Sequence, residues 1–282
     1  MLESPGPTTG VFRHGAFSLF FHRFGHGPQH LLAFHGFGRS GKDFFPLRAQ
    51  LENTFTCYAF ELFHHHPESS YPTGRVDRNT LRTEELLDFF DAFFAAHGIA
   101  RFSLLGYSMG SKVALVLTQR WPDRVDQLLL MAPDGFKVNR WYYLASHSWL
   151  GIRLYRGIIR EPRPFFALVR GLNRLGLVRD TVAKFTLAHL QEPAQRQLVY
   201  RVWMTFRNIQ PNLNDLRDGL LRHQVAVRLV FGRYDPIIPP KLGHGFAGNT
   251  ALKNNVVVIY AGHNLIAEKH LVPAAAWLLE KG

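Results

Sequence analysis

The sequence of 282 residues contains very little cysteine and no long apolar segment. Cys57 is its single cysteine, which excludes an internal disulfide framework and favours a reducing compartment. No run of about 18 residues is both apolar and free of charge, so we expect no transmembrane helix. The opening residues MLESPGPTTG lack the basic start and the apolar stretch of a signal peptide. These absences predict a cytoplasmic protein.

Acidic residues are scarce in one part of the chain. Between Gly135 and Arg222 there are fifteen Lys or Arg and only five Asp or Glu, so this segment carries +10 of the formal net charge of +12. The basicity is compatible with an ordinary solvated face, with attraction to an anionic membrane surface, or with recognition of an acidic acyl carrier. We expect no nucleic-acid partner, because no nucleic-acid-binding motif accompanies the charge.

Residues 106–110 (GYSMG) form a G-x-S-x-G pentapeptide between a predicted strand over 101–105 and a predicted helix over 111–120. In that context the pentapeptide predicts a nucleophile elbow, which is a tight strand-to-helix turn that holds the serine in a strained conformation. The flanking positions must be glycine or very small, since a side chain there would collide with neighbouring backbone. Ser108 is therefore a candidate nucleophile.

Apolar strands alternate with helices along most of the chain. We predict strands over 17–24, 29–34, 54–60, 101–105, 127–131, 225–231 and 255–260, and helices over 79–97, 111–120 and 265–280. This alternation predicts an α/β fold, with a mostly parallel central sheet covered by helices on both faces.

The alternation stops between residues 135 and 222. There the pattern is only helical, over 141–159, 165–178, 181–190 and 193–209. We therefore predict a core domain made of residues 1–134 and 223–282. The helical segment 135–222 would be a cap, or lid, inserted in the core over the edge of the sheet where open α/β folds bind their ligands.

A serine hydroxyl needs a base, and the base needs a group that orients it. Asp235 follows the predicted strand 225–231, and His263 follows the last predicted strand. The carboxyl ends of parallel strands meet at one edge, so we predict that Ser108 attacks, His263 accepts its proton and Asp235 orients the imidazole. Asp134, in the loop after strand 127–131, is the alternative acid.

The oxyanion of a tetrahedral intermediate requires hydrogen-bond donors. The backbone N–H of Met109, at the start of the helix after the elbow, is one candidate. The second is the N–H of Phe37, in the glycine-flanked loop His35-Gly-Phe-Gly that follows strand 29–34.

Four sequence segments together resemble the α/β-hydrolase family: HGFG at 35–38, GYSMG at 106–110, GRYD at 232–235 followed by Pro239, and GH at 262–263. The chain is most similar to the capped branch of esterases, lipases and carbon–carbon hydrolases. A serine at the elbow, rather than an aspartate, separates it from the dehalogenase and epoxide hydrolase branches. Relatives often carry a glycine-containing D-x-P-G-H-G loop where this chain has Glu61 and the run His64-His-His.

Three further features are expected to be structural. Adjacent histidines at 64–66 cannot readily converge on one ion, so we predict no metal site, and the sequence indicates no cofactor. Cys57 lies in a strand pattern and should belong to the core. Lys112 should face solvent on the helix that follows the elbow.

These residues predict a serine hydrolase that cleaves a carboxylic ester through an acyl-enzyme intermediate. A thioesterase or acyltransferase that acts on a carrier-bound acyl group, or a carbon–carbon bond hydrolase, would use the same residues. A non-catalytic ligand-binding module of the same fold is the remaining alternative.

Overall fold

The computed structural model describes residues 6–76, 80–137, 140–178, 180 and 190–280, and its central feature is an eight-stranded sheet. The strands are β1 (Thr8–His14), β2 (Phe17–Phe24), β3 (Gln29–Phe34), β4 (Phe55–Phe60), β5 (Phe102–Tyr107), β6 (Val125–Met131), β7 (Ala226–Gly232) and β8 (Val256–Ile259). Their spatial order is β1-β2-β4-β3-β5-β6-β7-β8. β1, β2 and β4 pair antiparallel, and every pairing from β4 to β8 is parallel. The predicted mostly parallel α/β sheet is confirmed.

The helices are α1 (Arg48–Leu51), α2 (Thr83–His97), α3 (Gly110–Arg120), α4 (Arg140–His147), α5 (Trp149–Arg160), α6 (Arg163–Arg174), α7 (Pro193–Phe206), α8 (Leu213–Arg222), α9 (Lys241–Ala247) and α10 (Glu268–Glu280). Short 3₁₀ turns occupy Gly41–Leu47, Thr73–Arg75 and Ala251–Asn255.

The described residues divide into two compact units. The sheet unit lies within Met1–Pro72, Arg82–Lys137 and Ile209–Gly282, and the helical unit within Thr73–Leu81 and Val138–Asn208. The helical unit is thus shorter than the predicted 135–222 segment. Helix α8 falls in the sheet unit, where it packs against α3 and has Leu216 and Leu220 buried. The role of a lid for the helical segment stays a prediction.

The inner strands of the sheet are buried on both faces, as their continuous apolar pattern predicts. Along β3, Leu31 and Ala33 belong to a core cluster that includes Leu271 and Trp277 of α10. Phe34 points to the opposite face, where it makes an edge contact with Phe90 of α2 at 5.4 Å between ring centroids. Successive side chains of a strand alternate between faces, so each buried strand supplies apolar atoms to two layers of helices.

Several elements differ from the prediction. β1 was not predicted, because it is a half-exposed edge strand with a weak apolar pattern. The predicted helix 141–159 is two helices, since Ser148 caps α5 by accepting a hydrogen bond from Gly151 N–H at 2.9 Å. The first residue of the predicted helix 79–97 and nearly all of 181–190 lie outside the described residues.

Within the described part of the chain, no helix combines the length and the apolar character needed to cross a membrane.

The fold predicts that Cys57 is inert towards thiol reagents in the native protein. The residue is fully buried, and burial raises the pKa of its thiol well above the ordinary value, so little thiolate forms. A colorimetric disulfide reagent should therefore react with one thiol per chain in guanidinium chloride and with almost none in buffer. Equal reaction rates under the two conditions would contradict the assigned core position.

Candidate active site

Ser108 lies at the sharp turn between β5 and α3. Its backbone has φ of 50°, a left-handed conformation that costs a non-glycine residue on the order of 1–3 kcal/mol. Three backbone hydrogen bonds hold the turn: Ser108 N–H donates to Met131 O at 3.0 Å, and Ser108 O accepts from Ser111 N–H at 3.0 Å and from Asp134 N–H at 3.1 Å. A Cβ at position 110 would lie 2.2 Å from Phe34 O, so the second glycine of the motif is required by packing.

Asp235 and His263 are brought together by the loops that follow β7 and β8. Backbone hydrogen bonds join these loops, from Arg233 N–H to Ile259 O at 2.8 Å and from Tyr234 N–H to Ala261 O at 2.9 Å. A Cβ at position 232 would lie 2.3 Å from Gly262 O, so only glycine permits this close approach. The prediction that both residues lie at the carboxyl edge of the sheet beside Ser108 agrees with this geometry.

The three side chains form a continuous hydrogen-bonded chain. Ser108 Oγ lies 3.0 Å from His263 Nε2, and His263 Nδ1 lies 2.7 Å from Asp235 Oδ2. The Asp235 side chain is fully buried, whereas that of His263 is 24% exposed. The other carboxylate oxygen, Oδ1, accepts the N–H groups of Ile237 and Ile238 at 2.8 and 2.9 Å, which fixes the carboxylate plane. The imidazole is therefore oriented with one nitrogen towards the serine.

Tyr107 is a positioning residue that the motif did not indicate, since it occupies a variable position of G-x-S-x-G. Its hydroxyl donates to His263 O at 3.1 Å, so the residue before the serine also supports the histidine loop. Burial raises the pKa of Tyr107 to about 12, which keeps the hydroxyl protonated as a donor near neutral pH.

Asp134, the alternative acid, has a different partner. Its Oδ2 lies 3.5 Å from Nζ of Lys112, and its Oδ1 accepts the N–H of Gly135 at 2.8 Å. The expectation that Lys112 faces solvent was wrong: its side chain is only 9% exposed, because α3 is buried over most of its length. The described hydrogen bonds of His263 Nδ1 go to Asp235 and not to Asp134.

Phe37, the candidate oxyanion donor, lies in a loop that the histidine run supports. Gly38 N–H donates to His65 Nε2 at 3.0 Å, and His65 Nδ1 lies 3.0 Å from Phe63 O, so a neutral His65 protonated on Nδ1 satisfies both contacts. Burial lowers the pKa of His65 to about 3, and the nearby His35 and His64 act in the same direction. The second candidate donor, Met109 N–H, lies at the first turn of α3, where backbone N–H groups have no partner within the helix.

Glu61 anchors the other side of the same loop. Its Oε1 lies 3.0 Å from His22 Nε2 and accepts the N–H of Gly41 at 3.0 Å, while its Oε2 lies 3.4 Å from His35 Nε2. Burial raises the pKa of Glu61, but the hydrogen bonds with His22 and Ser40 and the proximity of His35 outweigh it and leave the pKa well below its ordinary value. Residues 60–67 contain no glycine. This segment instead supplies the buried carboxylate of Glu61 and the imidazole of His65, which hold residues 35–41 in place through hydrogen bonds.

The run at 64–66 does not gather around one point. His65 contacts Gly38 and Phe63, whereas His66 stacks on Phe20 with ring centroids 3.9 Å apart. Among the described residues, no group of three or more His, Cys, Asp or Glu side chains is placed to hold a metal ion.

Comparison with known proteins supports the assignment of the fold. A family model described as the α/β hydrolase fold matches residues 29–158, which include the 35–38 loop and the elbow. A thermophilic esterase from Thermogutta terrifontis superposes with a TM-score of 0.64 over 98% of this chain and 99% of its own, at 19% identity. The resemblance to the α/β-hydrolase family is confirmed, and the chain has the α/β-hydrolase fold.

Two sequence relatives extend over most of the chain. An uncharacterised protein of Mycobacterium tuberculosis is 25% identical over 272 residues, which cover 91% of this chain and 75% of the relative. The pimeloyl-[acyl-carrier protein] methyl ester esterase of Aliivibrio salmonicida is 23% identical over 254 residues, 87% of this chain and 89% of the relative.

The left-handed turn predicts an unusual stability ranking at position 108. Ser108→Gly should be about 1 kcal/mol more stable than Ser108→Ala in denaturant unfolding, because glycine adopts positive φ without strain. The same pair at Thr118, inside α3, should rank in the reverse order by about 1 kcal/mol, since glycine disfavours a helix interior. If Ser108→Ala proved at least as stable as Ser108→Gly, the strain at this turn would be contradicted.

The contacts of His65 predict a pH dependence of stability. Its folded pKa is depressed to about 3 against 6.5 for an ordinary histidine, so between these values the unfolded chain binds more protons. Folding stability contributed by His65 is therefore complete above pH 6.5 and is lost as pH falls towards 3. His65→Gln should flatten the stability profile between pH 3 and 6.5 relative to the wild type. Parallel profiles for wild type and His65→Gln would contradict this.

Proposed function

We propose that the protein is a serine hydrolase that cleaves a carboxylic ester through Ser108, His263 and Asp235. The observation that carries the proposal is the hydrogen-bonded chain from Ser108 Oγ through the imidazole to the Asp235 carboxylate, with separations of 3.0 and 2.7 Å. These are ordinary distances for a nucleophile, its base and an orienting acid.

The proposed reaction proceeds in two halves. Ser108 Oγ attacks the ester carbonyl while His263 Nε2 takes its proton, and the tetrahedral oxyanion accepts hydrogen bonds from the N–H groups of Phe37 and Met109. The intermediate collapses to an acyl-Ser108, and the imidazolium gives its proton to the departing alcohol. Water then attacks the acyl carbon with His263 again as the base, which releases the carboxylic acid and restores the serine.

Asp235 has two roles in this scheme. Its carboxylate accepts a hydrogen bond from Nδ1–H and so keeps the Nε2 lone pair directed at Ser108, and it stabilises the imidazolium that forms in each half-reaction. The buried carboxylate needs no rearrangement during the reaction, because Ile237 and Ile238 hold its second oxygen.

A second candidate substrate is an ester carried on an acidic acyl carrier. It is favoured by the name of the Aliivibrio salmonicida relative and by the concentration of positive charge between residues 135 and 222. Thioester hydrolysis, acyl transfer and carbon–carbon bond hydrolysis would use the same three residues. Turnover of p-nitrophenyl esters and acyl-CoA thioesters of graded chain length separates the ester and thioester alternatives.

A fluorophosphonate probe tests the proposal. Folded wild-type protein should be labelled on Ser108, and Ser108→Ala should abolish labelling because the variant lacks the hydroxyl that His263 activates. Absence of labelling in the folded wild type would favour a non-catalytic binding module and would overturn the proposal.

The choice of acid is tested by two matched amide variants. Asp235→Asn should lower kcat for p-nitrophenyl ester hydrolysis on the order of 10³- to 10⁴-fold, by favouring the wrong imidazole tautomer. Asp134→Asn removes only the contact with Lys112 and should change kcat by a few-fold at most. The reverse ranking would assign the acid to Asp134.

A further inference from the structure

Helices α5 and α6 of the helical unit expose an unusual amount of large apolar surface. In α5, Trp149, Leu150 and Leu154 are 74%, 57% and 60% exposed. In and just beyond α6, Leu168 and Leu175 are 57% and 73% exposed. Single exposed leucines are ordinary in folded proteins, but a concentration of them on neighbouring helices marks an interaction surface.

The exposed residues follow helical spacing. Leu150, Arg153, Leu154 and Gly157 stand at i, i+3, i+4 and i+7 on α5 and therefore share one face. The other face of α5 is turned towards α7, where Tyr155 is buried and its ring lies 5.1 Å from that of Tyr200. The exposed stripe is thus the side of α5 that faces away from α7.

Positive charge borders the apolar stripes. Residues 149–174 contain six arginines and one acid, Glu161. The exposed arginines are Arg153, Arg160, Arg163, Arg170 and Arg174. The guanidinium of Arg153 lies 5.6 Å from the ring centroid of Trp149, so a cation and an aromatic side chain share one exposed site. Arg156 is different, because its Nε donates to Tyr200 Oη at 3.0 Å and so turns towards α7.

We propose that the exposed faces of α5 and α6 form a docking surface for an anionic lipid membrane. Amphipathic helices that lie in the membrane interface combine Leu and Trp on one side with arginines that reach phosphate headgroups, and these two helices have that combination. An acidic protein partner would account for the arginines, but it would not require the exposed Trp149 and the leucines around it. Binding would be peripheral, with the apolar side chains inserted at the headgroup level.

The test is co-sedimentation of the 282-residue Ser108→Ala protein with vesicles, so that its outcome is independent of the proposed hydrolase activity. The protein should bind phosphatidylglycerol-containing vesicles and should bind pure phosphatidylcholine vesicles at least about tenfold more weakly, since each basic residue near an anionic surface adds attraction. Raising the salt from about 0.05 to about 0.5 M should release it, because screening shortens the range of the attraction.

Two triple variants examine the two halves of the surface. Arg153→Gln/Arg160→Gln/Arg170→Gln should weaken binding to the anionic vesicles about 10- to 100-fold. Trp149→Ser/Leu150→Ser/Leu154→Ser should weaken binding at least about tenfold by removing the inserted apolar area. The matched control Arg13→Gln/Arg120→Gln/Arg222→Gln lowers the net charge equally at exposed positions of the sheet unit and should retain binding. Circular dichroism spectra of all variants check that α5 and α6 remain folded.

Three outcomes would overturn the proposal. The first is no binding to anionic vesicles, and the second is equal binding to anionic and zwitterionic vesicles. The third is a loss of vesicle binding in the control triple variant as large as that in the α5–α6 arginine variant, because net charge alone would then explain the binding. Binding of an acidic acyl carrier protein without any binding of vesicles would assign the surface to a protein partner instead.

Discussion

The candidate site depends on the backbone turn at Ser108. Three hydrogen bonds, from Ser108 N–H to Met131 O and from the N–H groups of Ser111 and Asp134 to Ser108 O, hold a serine in the left-handed region of backbone conformation. The turn is closed from the other side by β3, whose carbonyl at Phe34 lies against Gly110. A relaxed turn would move Oγ away from His263, so the packing of the surrounding strands stabilises an otherwise costly geometry.

The positions of Asp235 and His263 are determined by the loops that follow β7 and β8. Because the loops after β7 and β8 share backbone hydrogen bonds, Asp235 and His263 keep a 2.7 Å contact without depending on flexible side chains. The loop after β6 ends differently, since Asp134 is engaged by the largely buried Lys112. The structure therefore contains two acids at the same edge of the sheet, and of these two it is Asp235 that lies against the imidazole.

Sequence patterns predicted the sheet, because strands and loop glycines are local signals. They also selected Ser108, Asp235 and His263, which the structure brings within hydrogen-bond distance of one another. They could not predict contacts made between distant segments. The burial of Lys112 depends on the packing around α3, and the anchoring of the 35–41 loop by Glu61 and His65 joins segments about twenty or more residues apart. Serine is a residue type that favours helix N-caps, so Ser148 was a possible signal for a break. The helical apolar pattern continues through 141–159, however, and it led to the prediction of one helix where Ser148 caps a second one.

A crystal structure of the protein after reaction with a phosphonate ester tests directly whether Ser108 is the nucleophile. We expect a covalent bond from phosphorus to Ser108 Oγ, with the phosphoryl oxygen about 2.7–3.1 Å from the N–H groups of Phe37 and Met109. His263 would remain in contact with Asp235. An adduct on another residue, or a phosphoryl oxygen directed away from both N–H groups, would contradict acyl transfer through Ser108 with this oxyanion hole.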